Sequence, residues 1–252
     1  MTQIIFLDAA GTLFDVRGSV GEVYGQIAQR FGVTVESEEL NAAFSQSFAS
    51  ASPMAFPGIE AAKIPQLEFE WWQTVSAKAF QIAGIFHQFS DYPKFFVELY
   101  AHFATAEPWF VYPDVLPALN KWQQQGIELA VVSNFDSRIY AVLKALNLAE
   151  YFTSVTISTE VGAAKPDSQI FAAALQKHNC LAENVLHIGD SFKADYCGAK
   201  NAGLNAIWLN RPQEKLDLGK LPFLIESQKV EEVASLDFTA DSRFMKYSSS
   251  SL

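Results

Sequence analysis

Six polar residues stand where apolar runs of strand length stop. Asp8 follows IIFL (4–7) and opens the loop AAGT. Ser133 and Asn134 follow IELAVV (127–132), and Lys165 lies in GAAKPD after SVTI (154–157). Asp190 comes after NVLHI (184–188) and Gly189, with Asp195 five residues on. Each alone has a plainer reading: an Asp after a strand caps a helix, Ser133 or Ser137 starts one, and Lys165 is a solvated lysine. Together, at equivalent strand ends, they supply the parts of a phosphoryl-transfer site. A carboxylate such as Asp8 attacks phosphorus to give an acyl phosphate that water then hydrolyses, splitting one difficult step into two. It approaches a dianion, so charge has to be cancelled on both sides. Magnesium held by Asp8, the backbone carbonyl of Ala10 and Asp190 is expected on one side, hard oxygen ligands matching a hard ion. Lys165 is expected on the other, where it also suppresses protonation of Asp8. Ser133 and the backbone N–H of Asn134 are expected to donate to the phosphoryl oxygens, so that Ser133, Asn134 and Lys165 form the phosphate-binding set. Asp195 is expected one layer out, orienting Lys165 or the water around the metal.

For these groups to meet, the runs must be strands of one sheet. Their order, with NAIWL (205–209) as a fifth and helical stretches between, is that of parallel βαβ units. Helices are expected over 117–125, 137–146, 168–178 and 194–201, with Gly126 and Gly203 as stop signals. A short FLI run at 223–225 reads as an edge strand. The expected fold is therefore α/β, a doubly wound parallel sheet in which working groups gather outside the carboxyl ends of the strands. More than a hundred residues separate the first strand from the second, too many for an ordinary crossover. Apolar residues at helical spacing over 19–32, 38–48, 67–82 and 92–106 fill that interval. The chain thus divides into 1–15 (first strand and nucleophile loop), 16–110 (an inserted helical cap) and 111–252 (the rest of the core). The crossings after Phe14 and Asp15 and near 108–113 are expected to act as a hinge over the site.

Composition narrows the partners. Half of the residues are apolar and the formal net charge is -10, which argues against a nucleic-acid backbone. Residues 16–110 carry five Lys or Arg against ten Asp or Glu, a net of -5, so the cap is a poor clamp for polyanions. A small phosphorylated molecule is the expected partner, with no nucleic acid, no membrane, and a monomer or homodimer as the assembly. The start, MTQIIFLDAAGTLFD, reads as neither signal peptide nor membrane anchor, and a cytoplasmic protein is expected. Cys180 and Cys197 lack metal-ligand spacing and read as free thiols.

The segments DAAGTLF (8–14), VVSN (131–134), AAKPD (163–167) and HIGDSFKAD (187–195) resemble the four motifs of the haloacid dehalogenase-like hydrolase superfamily. The insertion resembles the helical cap of its subfamily I, and the opening motif resembles a branch that shares DAxGTL. The resemblance implies Asp8 as nucleophile, Ser133 as phosphate donor, Lys165 as balancing lysine, and Asp190 with Asp195 as the acidic magnesium site. Members hydrolyse phosphate esters, phosphonates and carbon–halogen bonds, so it specifies the fold more closely than the reaction.

One departure bears on mechanism. Phosphatases of the superfamily usually have a second Asp two residues after the nucleophile, and here that residue is Ala10. Its carbonyl still offers a metal ligand, but its methyl group is neither acid nor base, a loss of roughly 10²- to 10⁴-fold for poor leaving groups. His87 and His102 of the cap are candidate replacements, though a lone His in an apolar helical stretch is more often structural. An Ala here also resembles the phosphonoacetaldehyde hydrolase branch, which would need a cap lysine such as Lys63. The dehalogenase branch fits less well, because it lacks the acidic pair Asp190 and Asp195. A phospho-ligand-binding member without turnover completes the alternatives. Trp71, Trp72 and Tyr92 read as packing residues of the cap.

Overall fold

The computed structural model describes residues 4–211 and 232–236, and its central sheet comes from the runs that read as strands. In chain order the elements are β1 (Ile4–Leu7), β2 (Phe14–Val16), α1 (Val20–Arg30), α2 (Ser37–Ala49), α3 (Ile64–Ile82), α4 (Tyr92–His102) and β3 (Trp109–Val111). Then follow α5 (Val115–Gln124), β4 (Glu128–Ser133), α6 (Ile139–Ala145), β5 (Ser154–Ile157), α7 (Ser158–Val161) and α8 (Ser168–His178). The last are β6 (Val185–Gly189), α9 (Gly198–Asn201), β7 (Asn205–Leu209) and β8 (Glu232–Val233). The sheet order is β5-β4-β1-β6-β7-β8, every pairing parallel. The strand order reverses at β1, the point where doubly wound sheets hold their ligands.

Strand periodicity sorts the core. Ile5 and Leu7 pack on one face with Leu129, Val131 and the helix residues Leu119 and Trp122. Ile4 and Phe6 point to the other, against Ala130, Val132, Ile170 and Phe171. Successive side chains alternate across a strand, so a run buried on both faces must be apolar throughout, as IIFL is.

The insertion holds α1 to α4, a helical cap whose interior is largely aromatic. Tyr24, Phe80 and Phe95 are buried there, with ring centroids of Phe80–Phe95 5.3 Å apart and Phe89–Phe95 4.5 Å apart. Ser19 caps α1 through the Glu22 N–H, and Asp91 caps α4 through the Lys94 N–H. The two crossings into the cap pair with one another: β2 and β3 run antiparallel with Asp15 opposite Phe110. The Arg17 N–H adds a bond to the Pro108 carbonyl at 2.7 Å.

One expectation changes in detail. The helix expected over 194–201 is a π-helix from Phe192 to Cys197 followed by α9. Such wide turns are rare, favour functional sites, and leave no mark in the apolar period. The FLI run at 223–225 lies outside the described residues, and β8 pairs with β7 at the described edge. Cys180 and Cys197 are free. No helix among the described residues is long and apolar enough to cross a membrane.

Candidate active site

Lys165 organises the carboxyl end of the sheet. An ammonium group has three N–H donors, and here each has an acceptor: Asp8 Oδ1 at 2.6 Å, Asp195 Oδ1 at 2.5 Å and the Val132 carbonyl at 2.9 Å. The acceptors come from the ends of β1 and β4 and from the turn after β6, so one buried side chain ties the motifs together. The lysine's own backbone is gripped by Asn134, which donates to its carbonyl at 2.9 Å and accepts from its N–H at 2.7 Å. The Asn134 amide is therefore committed to positioning Lys165, leaving only its backbone N–H for an anion.

Glycine makes room for two of the carboxylates. A Cβ on Gly11, which has φ +82, would lie 2.5 Å from an Asp190 carboxylate oxygen. One on Gly189 would lie 2.2 Å from Asp195 Cγ. The nucleophile loop and β6 thus approach the acidic groups closely only because both residues lack a side chain.

Electrostatics separate the acids. Burial pushes the Asp8 carboxyl above the ordinary range, opposed by Lys165 and by a hydrogen bond from Ser133. Asp190 is exposed at the cavity floor, yet the surrounding protein desolvates it, and with Asp8 and Asp195 alongside it is pushed up to about 7. Asp195 goes the other way: burial works against its charge, but Lys165 and His187 outweigh it and hold it well below the usual carboxylate range. For Lys165 too burial opposes the charge, and Asp195 with Asp8 more than compensates, so it stays an ammonium. Asp8, Asp190 and Asp195 offer oxygens all within 4.8 Å of one another. Three carboxylates against one ammonium leave an excess of negative charge, and an all-oxygen donor set suits magnesium. Asp195 is the least available of the three, since Lys165, His187 Nε2 at 2.9 Å and the Ser191 N–H at 2.9 Å already occupy it.

A cavity of about 670 Å³ rises from Asp8, Ser133, Lys165 and Asp190 into the cap. Trp71 and Trp72, expected as packing residues, line it, whereas Tyr92 does not and donates to the Gln73 carbonyl. The other candidates from the cap lie elsewhere. His87 is exposed, His102 pairs with Glu107 at 3.7 Å, and neither lines the cavity. Lys63 sits on the surface in a pair with Glu60 at 3.0 Å, also away from the cavity.

Sequence reasoning missed a second polar cluster where cap meets core. Glu68 of α3 is fully buried and accepts from the Ser137 N–H at 3.0 Å, the Ser137 hydroxyl and the Thr159 hydroxyl at 2.6 Å. Asp136, also fully buried, takes the Trp72 indole N–H at 2.7 Å and two guanidinium N–H groups of Arg138 at 2.8 and 2.7 Å. Arg138 in turn donates to the Tyr100 carbonyl and lies 3.9 Å above that ring. The available signal was Glu68 itself, a carboxylate on the helix stripe that buries Ile64, Val75 and Ala79. His187, buried under Asp195, was missed because it reads as one more residue of an apolar strand.

Relatives bear on this arrangement. Over 215 residues the chain is 33% identical to haloacid dehalogenase-like hydrolase domain-containing protein 3 of Mus musculus, covering 85% of this chain and 84% of that protein. Its fold is similar to that of a haloacid dehalogenase-type phosphatase from Thermococcus onnurineus (TM-score 0.61, 20% identity, 97% and 98% of the chains). It is equally similar in fold to L-2-haloacid dehalogenase from Xanthobacter autotrophicus (TM-score 0.69, 17% identity, 97% and 99%). At those identities the likeness concerns the fold, and it spans two reactions. The haloacid dehalogenase-like hydrolase family itself matches residues 2–203, from the strand before Asp8 to beyond Asp195, and the chain belongs to that family.

Proposed function

We propose that the chain is a magnesium-dependent phosphohydrolase of the capped subfamily I, in the branch sharing DAxGTL, acting on a small phosphomonoester through an aspartyl-phosphate at Asp8. The observation that carries this reading is the excess of carboxylate around Lys165: Asp8, Asp190 and Asp195 meet one ammonium at the floor of a cavity. Asp8, the Ala10 carbonyl and Asp190 would hold the magnesium ion, which when bound neutralises part of the phosphoryl charge. Lys165 anchors Asp8 Oδ1, which leaves Oδ2 for attack on phosphorus. Ser133 and the Asn134 N–H receive the phosphoryl oxygens, and Asp195 keeps Lys165 in place. Residues 16–110 act as the lid, with the β2–β3 pair at its root, and exclude water while the anhydride forms.

Rapid quench with radiolabelled acetyl phosphate tests this. Wild type should carry an acid-stable, hydroxylamine-labile label on Asp8, and Asp8→Asn should lose the label and at least about 10³-fold in turnover. Full turnover in a folded Asp8→Asn protein overturns the assignment. Ala10 favours a second reading, a phospho-ligand binder without turnover. Acetyl phosphate separates the two, because its leaving group departs without a proton, so a binder alone would leave it intact.

A further inference from the structure

The leaving group can be read from two independent features of the cavity. One is the lack of an acid near the departing oxygen. Ala10 has no proton to give. Asp15 lines the cavity, but its carboxylate accepts from the Val16 N–H at 2.7 Å and from the Tyr112 hydroxyl at 3.0 Å. Burial holds the Tyr24 and Tyr100 hydroxyls above the ordinary tyrosine range, and no histidine lines the cavity among the described residues. Asp190, on the cavity floor, is taken up by magnesium under the phosphohydrolase reading, so an ester oxygen released here leaves as an anion.

The other feature is the wall. Tyr24, Phe44, Phe48, Trp71 and Trp72 form a continuous aromatic ledge, each ring 4.9 to 6.0 Å from the next. Phe48 is 48% exposed and is among the residues that line the cavity. The cations lining the cavity are both engaged. Lys165 has its three acceptors, and Arg138 is held by Asp136 and the Tyr100 carbonyl. Neither is spare for a second phosphate or a carboxylate on the substrate, whereas the ledge lines the cavity with aromatic surface that a flat ring can pack against.

We propose that the substrate is an aryl phosphate monoester whose ring seats against Phe48 and Trp72 while its phosphoryl group meets Asp8. This rests on the phosphohydrolase reading above and adds the leaving group to it. Asp8 Oδ2 forms the new bond to phosphorus as the bond from phosphorus to the phenolic oxygen breaks, and the electron pair departs with the phenolate. Water then attacks the aspartyl-phosphate, which restores Asp8 and releases inorganic phosphate, and the proton set free neutralises the phenolate in solvent. A phenol ionises near the tyrosine value, about 10, against about 16 for water. A phenolate therefore leaves unassisted where an alkoxide does not.

The test compares kcat/KM at saturating magnesium for 2-naphthyl phosphate, benzyl phosphate and acetyl phosphate. Benzyl phosphate keeps a ring but leaves as an alkoxide, and acetyl phosphate leaves readily but has no ring. The aryl ester should exceed benzyl phosphate by at least about 10²-fold. Its KM should lie at least about tenfold below that of acetyl phosphate, which has the better leaving group but no ring. Phe48→Ser, on an exposed side chain, should lower the aryl value about tenfold more than the acetyl value, mainly through KM. A KM for acetyl phosphate as low as that of the aryl ester, a kcat/KM for benzyl phosphate within tenfold of the aryl value, or equal losses in Phe48→Ser would each overturn the aryl assignment and leave the hydrolase standing. Failure to turn over any of the three, acetyl phosphate included, would remove the hydrolase reading itself and the aryl assignment with it.

Discussion

Around Lys165 one ammonium meets three carboxylates, Asp8, Asp190 and Asp195, whereas at the cap–core junction the charges nearly close on themselves. There Arg138 takes Asp136 through two donors, and Glu68 is met by the neutral hydroxyls of Ser137 and Thr159. Both clusters are buried or nearly so, and both are costly, because charge leaves water only when partners replace the lost hydration. The difference lies in what each leaves over. The first retains negative charge at a cavity floor, a state that a divalent cation relieves. The second retains almost none, although Arg138 and Trp72 reach the cavity wall, so it serves as a fastening between α3, the loop after β4 and α7. Unequal compensation at otherwise similar clusters thus distinguishes a site that binds from a joint that holds.

The sharpest way to break this contrast is to unbalance the joint. Asp136→Ala leaves the Arg138 guanidinium buried beside aromatic rings without its counter-ion and should cost about 3–5 kcal/mol in urea unfolding. A loss below about 1 kcal/mol, the range of exposed pairs, would show that the joint is solvated and that the contrast fails. The next effect belongs to the site. Asp190→Asn should weaken magnesium about 10- to 100-fold by calorimetry, a conservative figure taken from losses of outer ligands. The rise in Tm that magnesium gives the wild type should shrink with it. Unchanged magnesium affinity in Asp190→Asn would mean that the surplus charge at the floor serves something else.

The same contrast explains what the sequence disclosed. Asp8, Ser133 and Asp190 could be found because each sits where an apolar run ends, Lys165 and Asp195 because they follow such an end closely in sequence, and a parallel sheet carries all such ends to one edge. Asn134 was legible as a neighbour of Ser133, but its grip on the Lys165 backbone depends on a loop some thirty residues away. The cap was legible as helices, since their apolar spacing is local. Which faces meet the core was not, because docking depends on contacts such as Trp72 with Asp136 or Glu68 with Thr159, which no local period encodes. For the same reason His87, His102 and Lys63 drew attention by residue type and proved to lie away from the cavity. The π-turn that carries Asp195 escaped too, since the pattern of apolar residues does not separate a π-turn from an α-turn.

The smallest effect concerns the part of the joint that does not balance by charge. Three donors to the Glu68 carboxylate favour its ionised form, yet burial outweighs them, and its carboxyl is raised above the ordinary glutamate range with Asp136 adding to the shift. The folded state therefore holds the Glu68 proton more tightly than the unfolded chain does. Below the ordinary value, about 4.3, both states are protonated and the contribution of Glu68 is fully present. As the pH rises through the raised value the unfolded chain has already released a proton that the fold retains, so stability falls, and above that value the loss is complete. Glu68→Gln keeps the shape and the capacity to meet Ser137 and Thr159 but cannot ionise. At acidic pH it should cost about 1 kcal/mol or less, the net worth of one hydrogen bond imperfectly replaced. The margin of wild type over the variant should then narrow with rising pH, as read from urea unfolding at pH 4.5, 6 and 8. A margin that widens instead would mean that the donors from Ser137 and Thr159 prevail over burial. Glu68 would then be an anion held in place by design of the joint, and the contrast with the Lys165 cluster would rest on Asp136 and Arg138 alone.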